Sequence, residues 1–528
     1  MTAASPDAQP PAVHPAPPGQ PQPFGFRLAM GLTGIFIASM MAGLNNRVGS
    51  LALADVRGAL GFGLDDASWL NTVYIAGELV AMPFATWFAF TFSLRRFQLA
   101  AVGATMALAV LLPFVHNLTL LLILRSLQGV TAGILIPLLM MSALRFLPPP
   151  IRLHGLALYA MTATFSPNLA IWFTALWTDH LFDLRLIYWQ IIPIGFISAV
   201  LVAWGIPQDP LHFERLKEGN WTGFVIGAAG LVLSAVALDQ GTRLDWFNSP
   251  LICWSLAAGI GLVAIYLMTE WHHPAPFIKL QLLERRNLWA GFVIFVCLLI
   301  AMQASSLLPV QYLSQVQGYR ALQNAPLGLI VGLPQLVLGP AVALLLYRKW
   351  VDARIVLSLG LCLIACTCLL SAKLTSSWNG EQFVHIQILF ALGLPMAIVP
   401  QLFLGTAIVV PSEGAYVSGT VNTLRVLGIL LGGAITGQLL SVRARFHTEM
   451  LLDRLGGATG TTAVSDAVRL FGEIGHQASV LATADTYRVL GWLTLALIPL
   501  ALYLHYVPAP DIDSHFSRKT TALAGTPS

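Results

Sequence analysis

Charge is what this chain has least of. Asp, Glu, Lys and Arg make up 10% of its 528 residues, against about a quarter in soluble domains. The net charge is +4, with no basic cluster that could track a nucleic acid. No Gly-rich loop ends in Lys-Ser or Lys-Thr, which excludes P-loop ATP hydrolysis within the chain. Paired-histidine metal motifs and Gly-x-Ser-x-Gly elbows are also missing. The five cysteines (Cys253, Cys297, Cys362, Cys366 and Cys368) all lie in apolar runs without a nearby His or carboxylate, so they read as packed thiols rather than metal ligands. No metal, cofactor or enzymatic chemistry is expected. Asp179, His180 and Asp183 cluster in a short connection, where solvation explains them.

Apolar residues are abundant instead, at 56% of the chain with a mean hydropathy of +0.75. A spanning helix needs about 20 mostly apolar residues, and fourteen stretches qualify. The first six are 27–46, 68–90, 97–115, 118–143, 154–177 and 188–206. Two more follow at 221–239 and 250–269. The last six are 288–312, 326–347, 354–372, 383–409, 414–440 and 487–506. This predicts an all-α polytopic membrane protein. Its expected parts are a disordered tail (1–26), a six-helix bundle (27–206), an inserted helix pair with its loops (207–287), a second six-helix bundle (288–506) and a second tail (507–528).

Twelve lysines and arginines fall in the even-numbered connections and six, Arg47 among them, in the short odd-numbered ones. That bias predicts both termini on the cytoplasmic side of a plasma membrane, the inner one in a double-membraned bacterium. The proline-rich start has no apolar core, and the span that Arg27 opens has no small-residue cleavage site, so a removed signal peptide is not expected. Segment 441–486 alternates apolar and charged residues around Gly456, Gly457 and Gly460. Two short amphipathic helices lying on the outer face fit it.

Function should rest on the few polar groups at membrane depth. A guanidinium there costs about 2.5–3.5 kcal/mol on insertion scales, so Arg125, within the fourth span, is expected to face a partner, a cavity or a ligand. Gly129 and Gly133 lie one and two turns beyond it and allow close helix packing. Glu78 lies about 16 Å into the second span at 1.5 Å per residue, ahead of Pro83. A carboxylate at that depth, balanced by a nearby Arg125, could load and release a proton. The bland alternative is a structural Glu–Arg pair. Asn45, Gln128, Gln303, Gln311, Gln335, Gln401, Asn422 and Arg425 are candidates for a substrate cavity, although lone amides also bridge helices. Pro167, Gly428 and Gly432 read as packing residues, and Trp69, Trp87, Trp177, Trp189 and Trp221 as interfacial anchors.

Several motifs resemble one family. Arg125-Ser126-Leu127-Gln128-Gly129, with Gly133 and Pro137 following, is similar to the fourth-helix signature of the major facilitator superfamily. Ser68-Trp69-Leu70-Asn71-Thr72-Val73-Tyr74 with Pro83, the run from Leu308 to Tyr319, and Arg425-Val426-Leu427-Gly428 resemble its fourteen-span drug:proton antiporter branch. The resemblance covers roughly residues 27–506. It implies the major facilitator fold and proton-coupled efflux of small amphiphilic or toxic compounds by alternating access. It also implies contact of segment 441–486 with a periplasmic adaptor protein, as in some members. Uptake by proton symport and a non-transporting membrane sensor or assembly protein are the alternatives. Three departures stand out. Asn45 occupies the place of an Asp; the loop after the second span keeps only the basic pair Arg95-Arg96; and Pro167 is followed by Ala170-Ile171 and Thr174-Ala175 rather than glycines.

Overall fold

The computed structural model describes residues 24–410, 413–455 and 464–510, and these contain no β-strand. Most of the first expected tail (1–23 of 1–26), most of the second (511–528) and Gly456, Gly457 and Gly460 of segment 441–486 lie outside them. The chain forms α1 (Phe26–Leu51), α2 (Leu64–Thr91), α3 (Leu94–Phe114), α4 (Leu118–Phe146), α5 (Pro149–Ala175), α6 (Leu186–Gly205) and α7 (Trp221–Gln240). It continues with α8 (Pro250–His272), α9 (Arg286–Val316), α10 (Ala321–Leu346), α11 (Ala353–Ser371), α12 (Gly380–Thr406), α13 (Gly414–Leu455) and α14 (Val464–Tyr503).

Each expected span falls on one of these helices. Among the described residues thirteen are long and apolar enough to cross a membrane. The remaining one, α5, has 27 residues, but Thr162, Thr164, Ser166 and Asn168 dilute its hydropathy. All four are buried, so α5 carries polar groups inward rather than towards lipid.

Two expectations fail at helix ends. Arg47 is not in a connection: α1 runs on to Leu51 and carries it on its last turns. A charge there ends the apolar run in sequence, but not the backbone hydrogen bonding. Segment 441–486 is not a pair of short surface helices either. Its described residues extend α13 and α14, and the 15 residues from 441 to 455 project the hairpin by about 22 Å. Asp485 clamps the two arms, accepting from Arg443 Nε at 2.6 Å, Arg488 Nη1 at 2.7 Å and His447 Nε2 at 2.8 Å.

Glycine sets the closest helix contact. A Cβ on Gly129 would stand 2.1 Å from the carbonyl oxygen of Tyr74, one on Gly133 2.6 Å from that of Glu78, and one on Gly77 2.4 Å from that of Ser126. Helices α2 and α4 therefore touch backbone to backbone. The inserted pair α7–α8 packs on α2 and α13. It is pinned by Glu270, which accepts from Phe277 N at 2.5 Å and Asn220 Nδ2 at 2.9 Å. Trp87 is not an interfacial anchor but is buried against Phe84, Phe277 and Trp221 at this junction.

The first and last helix groups meet along two seams, α2–α13 and α5–α10. On the side of the termini α13 is sealed against its neighbours. Ser418 Oγ donates to Pro137 O at 2.7 Å, Tyr159 Oη donates to Asn422 at 2.9 Å, and Gly414 abuts Leu144. On the far side Arg320 reaches across to Asp179 at 2.8 Å, and Leu322 N donates to the same carboxylate at 3.0 Å.

Replacing Gly129 with alanine should lower stability by about 1–3 kcal/mol, the usual cost of overpacking. Gly103→Ala, where nothing stands within 4 Å of the new Cβ, should be neutral; thermal unfolding in detergent compares the two. The far-side latch has its own signature. Burial raises the Asp179 carboxyl, but the hydrogen bonds from Arg320 and Leu322 N outweigh it and hold the group below its ordinary value of 3.8. The latch is therefore complete above that value and is lost only as pH falls through the lower, folded one. A cysteine at the buried position Thr174 should label equally slowly at about pH 7 and about pH 5. In Arg320→Ala it should label several-fold faster at both.

Candidate substrate cavity

Between the seams lies a cavity of about 360 Å³. Its wall takes residues from α1, α2, α4, α5, α7, α9 and α13, so both helix groups and the inserted pair contribute. Glu78, Thr162 and Arg425 lie at the end nearest the seal. Ser50, Asn71, Asp239 and Thr242 lie towards the far side. The cavity thus runs from the sealed terminal side towards the far side, where Arg320 and Asp179 latch the α5–α10 seam.

Glu78 is 5% exposed, and Asn46 Nδ2 donates to its Oε2 at 2.5 Å. Arg425, also 5% exposed, donates to Thr162 Oγ1 at 2.5 Å and to Thr162 O at 2.7 Å. Arg47 makes one long bond, from Nη2 to Ser306 O at 3.4 Å, and its Nε is buried without a partner. Asp239 accepts from Thr72 Oγ1 at 2.5 Å and from Asn71 Nδ2 at 3.3 Å. Four ionisable side chains thus line one cavity. Among the described residues none lies within 4.0 Å of an opposite charge. Charges withdrawn from water and left unpaired cost several kcal/mol each. They are tolerated at membrane depth where they face a wet cavity or a ligand.

Arg125 is not part of this wall. It is 4% exposed, bonds Gln128 Oε1 at 2.6 Å, and lies over the Tyr74 ring at 4.4 Å with Tyr188 at 5.8 Å. The helix register explains why it misses Glu78. Gly129 abuts Tyr74 and Gly133 abuts Glu78. Arg125 is therefore two turns from the level of Glu78, about 12 Å along the helix. The cation on the cavity wall beside Glu78 is Arg425. Asn45 belongs to the Arg125 cluster as well, donating to Tyr74 Oη at 3.1 Å.

The other candidates divide cleanly. Gln303 lines the cavity and donates to Ile429 O at 3.2 Å, with Gly432 packed on its side chain. Pro167 lines it too. Gln335 donates to Ala391 O at 2.9 Å and Gln401 to Gly291 O at 2.5 Å. Both bridge helices, as does Asn422 through Tyr159. Gln311 is absent from this wall, and Gly428 packs on Leu299. Sequence reading missed Asn46, Arg47 and Asp239. Each sits where an apolar run ends, which looks like a loop until a neighbouring helix is placed beside it. The Asn-Asn-Arg run was the available signal for the first two, and Asp239 had none.

Residues 35–433 match the Major Facilitator Superfamily. Over 433 residues the chain is 24% identical to the probable multidrug resistance protein EmrY of Escherichia coli K12, covering 79% of this chain and 80% of that one. It is 25% identical over 437 residues to the multidrug export protein EmrB of Haemophilus influenzae, covering 79% and 82%. A peptide transporter solved in complex with sulfate superposes with a TM-score of 0.55 at 18% identity, over 92% of this chain and 97% of that one. With three quarters of its length matched, on an all-helical fold shared with solved transporters, this chain belongs to the Major Facilitator Superfamily.

Proposed function

We propose that the chain is a secondary active transporter that expels small amphiphilic compounds in exchange for protons, by alternating access. The observation that carries this reading is Glu78: a buried carboxylate at the closed end of a cavity shared by both helix groups, held by a neutral amide and not by an ion pair. A proton can therefore be added without breaking a salt bridge. Relatives named for multidrug resistance and export support efflux over uptake.

The geometry supplies a coupling. Ionised Glu78 attracts Arg425, which is bonded to Thr162 of α5 beside the seal made by Ser418 and Asn422. Protonation removes that attraction and biases α13 towards releasing α5 and α4. Ligands and protons then shift a two-state equilibrium by their different affinities for the two states. Arg125 acts from outside the cavity as a positioning residue. Bonded to Gln128, it fixes Tyr74, one turn from Glu78, through the ring contact.

Two bundles, 27–206 and 288–506, rock about the cavity, and the pair in 207–287 fills the α2–α13 seam. Lysines and arginines in or beside the even-numbered connections outnumber those in or beside the short odd-numbered ones, Arg47 included, by twelve to six. The seal then lies on the cytoplasmic side and the Asp239 end of the cavity towards the outer side. The projecting α13–α14 hairpin offers a surface for a periplasmic adaptor in a double-membraned cell.

In proteoliposomes Glu78→Gln should abolish flux driven by a proton gradient, while the protein inserts and unfolds as wild type. Retained pH-dependent flux would remove Glu78 from the mechanism. Arg125→Lys keeps the charge but loses the planar group that stacks on Tyr74 while bonding Gln128. It should lower both thermal stability and maximal flux, leaving the pH dependence in place.

A further inference from the structure

Asp239 is a carboxylate the mechanism above leaves unused. It comes from the last turn of α7, in the inserted pair, yet its side chain lines the same cavity as Glu78. These two are the only carboxylates among the described lining residues. Their placement differs in one decisive way: Glu78 is at the end nearest the terminal-side seal, Asp239 towards the far side. Thr72 and Asn71, which hold Asp239, are six and seven residues before Glu78 on the same helix, about 9–10 Å along the axis.

The surroundings of Asp239 suit a group that gains and loses a proton. Its two donors, Thr72 and Asn71, are neutral. Arg243, one turn beyond on its own segment, bonds Gln240 Oε1 at 2.5 Å and Asp65, and its charge also acts on Asp239 through space, without a direct ion pair. Gln240 in turn donates to Thr72 Oγ1 at 2.5 Å, fixing the hydroxyl that faces Asp239. From α1 the cavity presents Arg47; from α2, Glu78; from α13, Arg425. On α9 it meets only the neutral Gln303, Ser305 and Ser306, and the acidic residue of α8, Glu270, is at the opposite end of the pair. With the terminal side sealed, a proton reaching Glu78 from the far side passes the end of the cavity that Asp239 flanks.

We infer that Asp239 is the portal carboxylate of the transporter, passing protons between the far-side solution and Glu78. The step balances simply. A hydronium ion at the far end of the cavity gives its proton to Asp239. The neutral Asp239 then protonates Glu78 through cavity water, since the two carboxyl groups share no hydrogen bond and the residues that hold Asp239 lie nearly two helical turns from Glu78, and Asp239 returns to its ionised form. The inserted pair is thus part of the proton path rather than a spacer beside it. This inference rests on Glu78 being the coupling carboxylate.

The test needs no transported compound. The full chain in detergent is given a rapid acid jump, and infrared absorption of the protonated carboxyl is followed in time. The band that disappears in Glu78→Gln reports Glu78. In Asp239→Asn that band should reach its wild-type amplitude about 100-fold more slowly, the low end of what a positioned proton-transfer group supplies. Asp239→Glu should restore most of the rate. A small diffusible acid such as formic acid should rescue Asp239→Asn, which it would not do for a packing defect. An unchanged rate, or a slowed one that neither rescue repairs, overturns the inference. Should Asp239→Asn fail to fold, Thr72→Val keeps the carboxylate but removes its hydroxyl donor. The rate must then change, and an unchanged rate again counts against the portal. If no band is lost in Glu78→Gln, the coupling reading falls instead, and the two failures are distinct.

Discussion

The backbone contact between α2 and α4 is the constraint from which the site follows. Gly77, Gly129 and Gly133 leave no room for side chains there, so the two helices cannot slide past each other without a clash. That register puts Tyr74 opposite Gly129 and Glu78 opposite Gly133. It thereby assigns Arg125 to the tyrosine and frees Glu78 to face the cavity. Had the helices packed two turns further along, Arg125 would have neutralised Glu78 in a static ion pair. The separation of the two is what leaves a buried carboxylate able to change its protonation state.

The same logic extends to the cavity. Arg47, Glu78, Asp239 and Arg425 are brought to one wall by four different helices, and amides and hydroxyls, not opposite charges, hold them. Such neutral partners offset part of the desolvation cost while leaving each charge responsive to a proton or a ligand. The inserted pair matters here for a structural reason. By filling the α2–α13 seam it supplies Leu238, Asp239 and Thr242 to the cavity wall, and Glu270 and Trp87 fasten it in that position.

Much of the fold was legible in the sequence because hydropathy reports lipid contact directly. All fourteen windows found a helix, even α5, whose buried Thr and Asn residues face protein. Helix ends were less legible. Hydropathy registers a charge as a loop, whereas the α-helix tolerates Arg47 as long as its side chain finds the cavity. For the same reason the hairpin of α13 and α14 was read as surface helices: alternating charge describes the water-facing arms without saying that they continue the spans. In the site, the depth of Glu78 and Arg425 was visible from their positions in apolar runs. Their partners were not. Whether Gln335 and Gln401 bridge helices or Gln303 meets a ligand depends on which neighbour stands across from each, and spacing along one helix cannot encode that.

The central claim is that Glu78 exchanges a proton in step with ligand binding. It is tested most directly by proton release. The purified chain, in weakly buffered detergent with a pH dye, is mixed with a compound it exports. Binding should release protons from the wild type and none from Glu78→Gln, with affinity preserved in the variant. Equal proton release from both proteins would contradict the account.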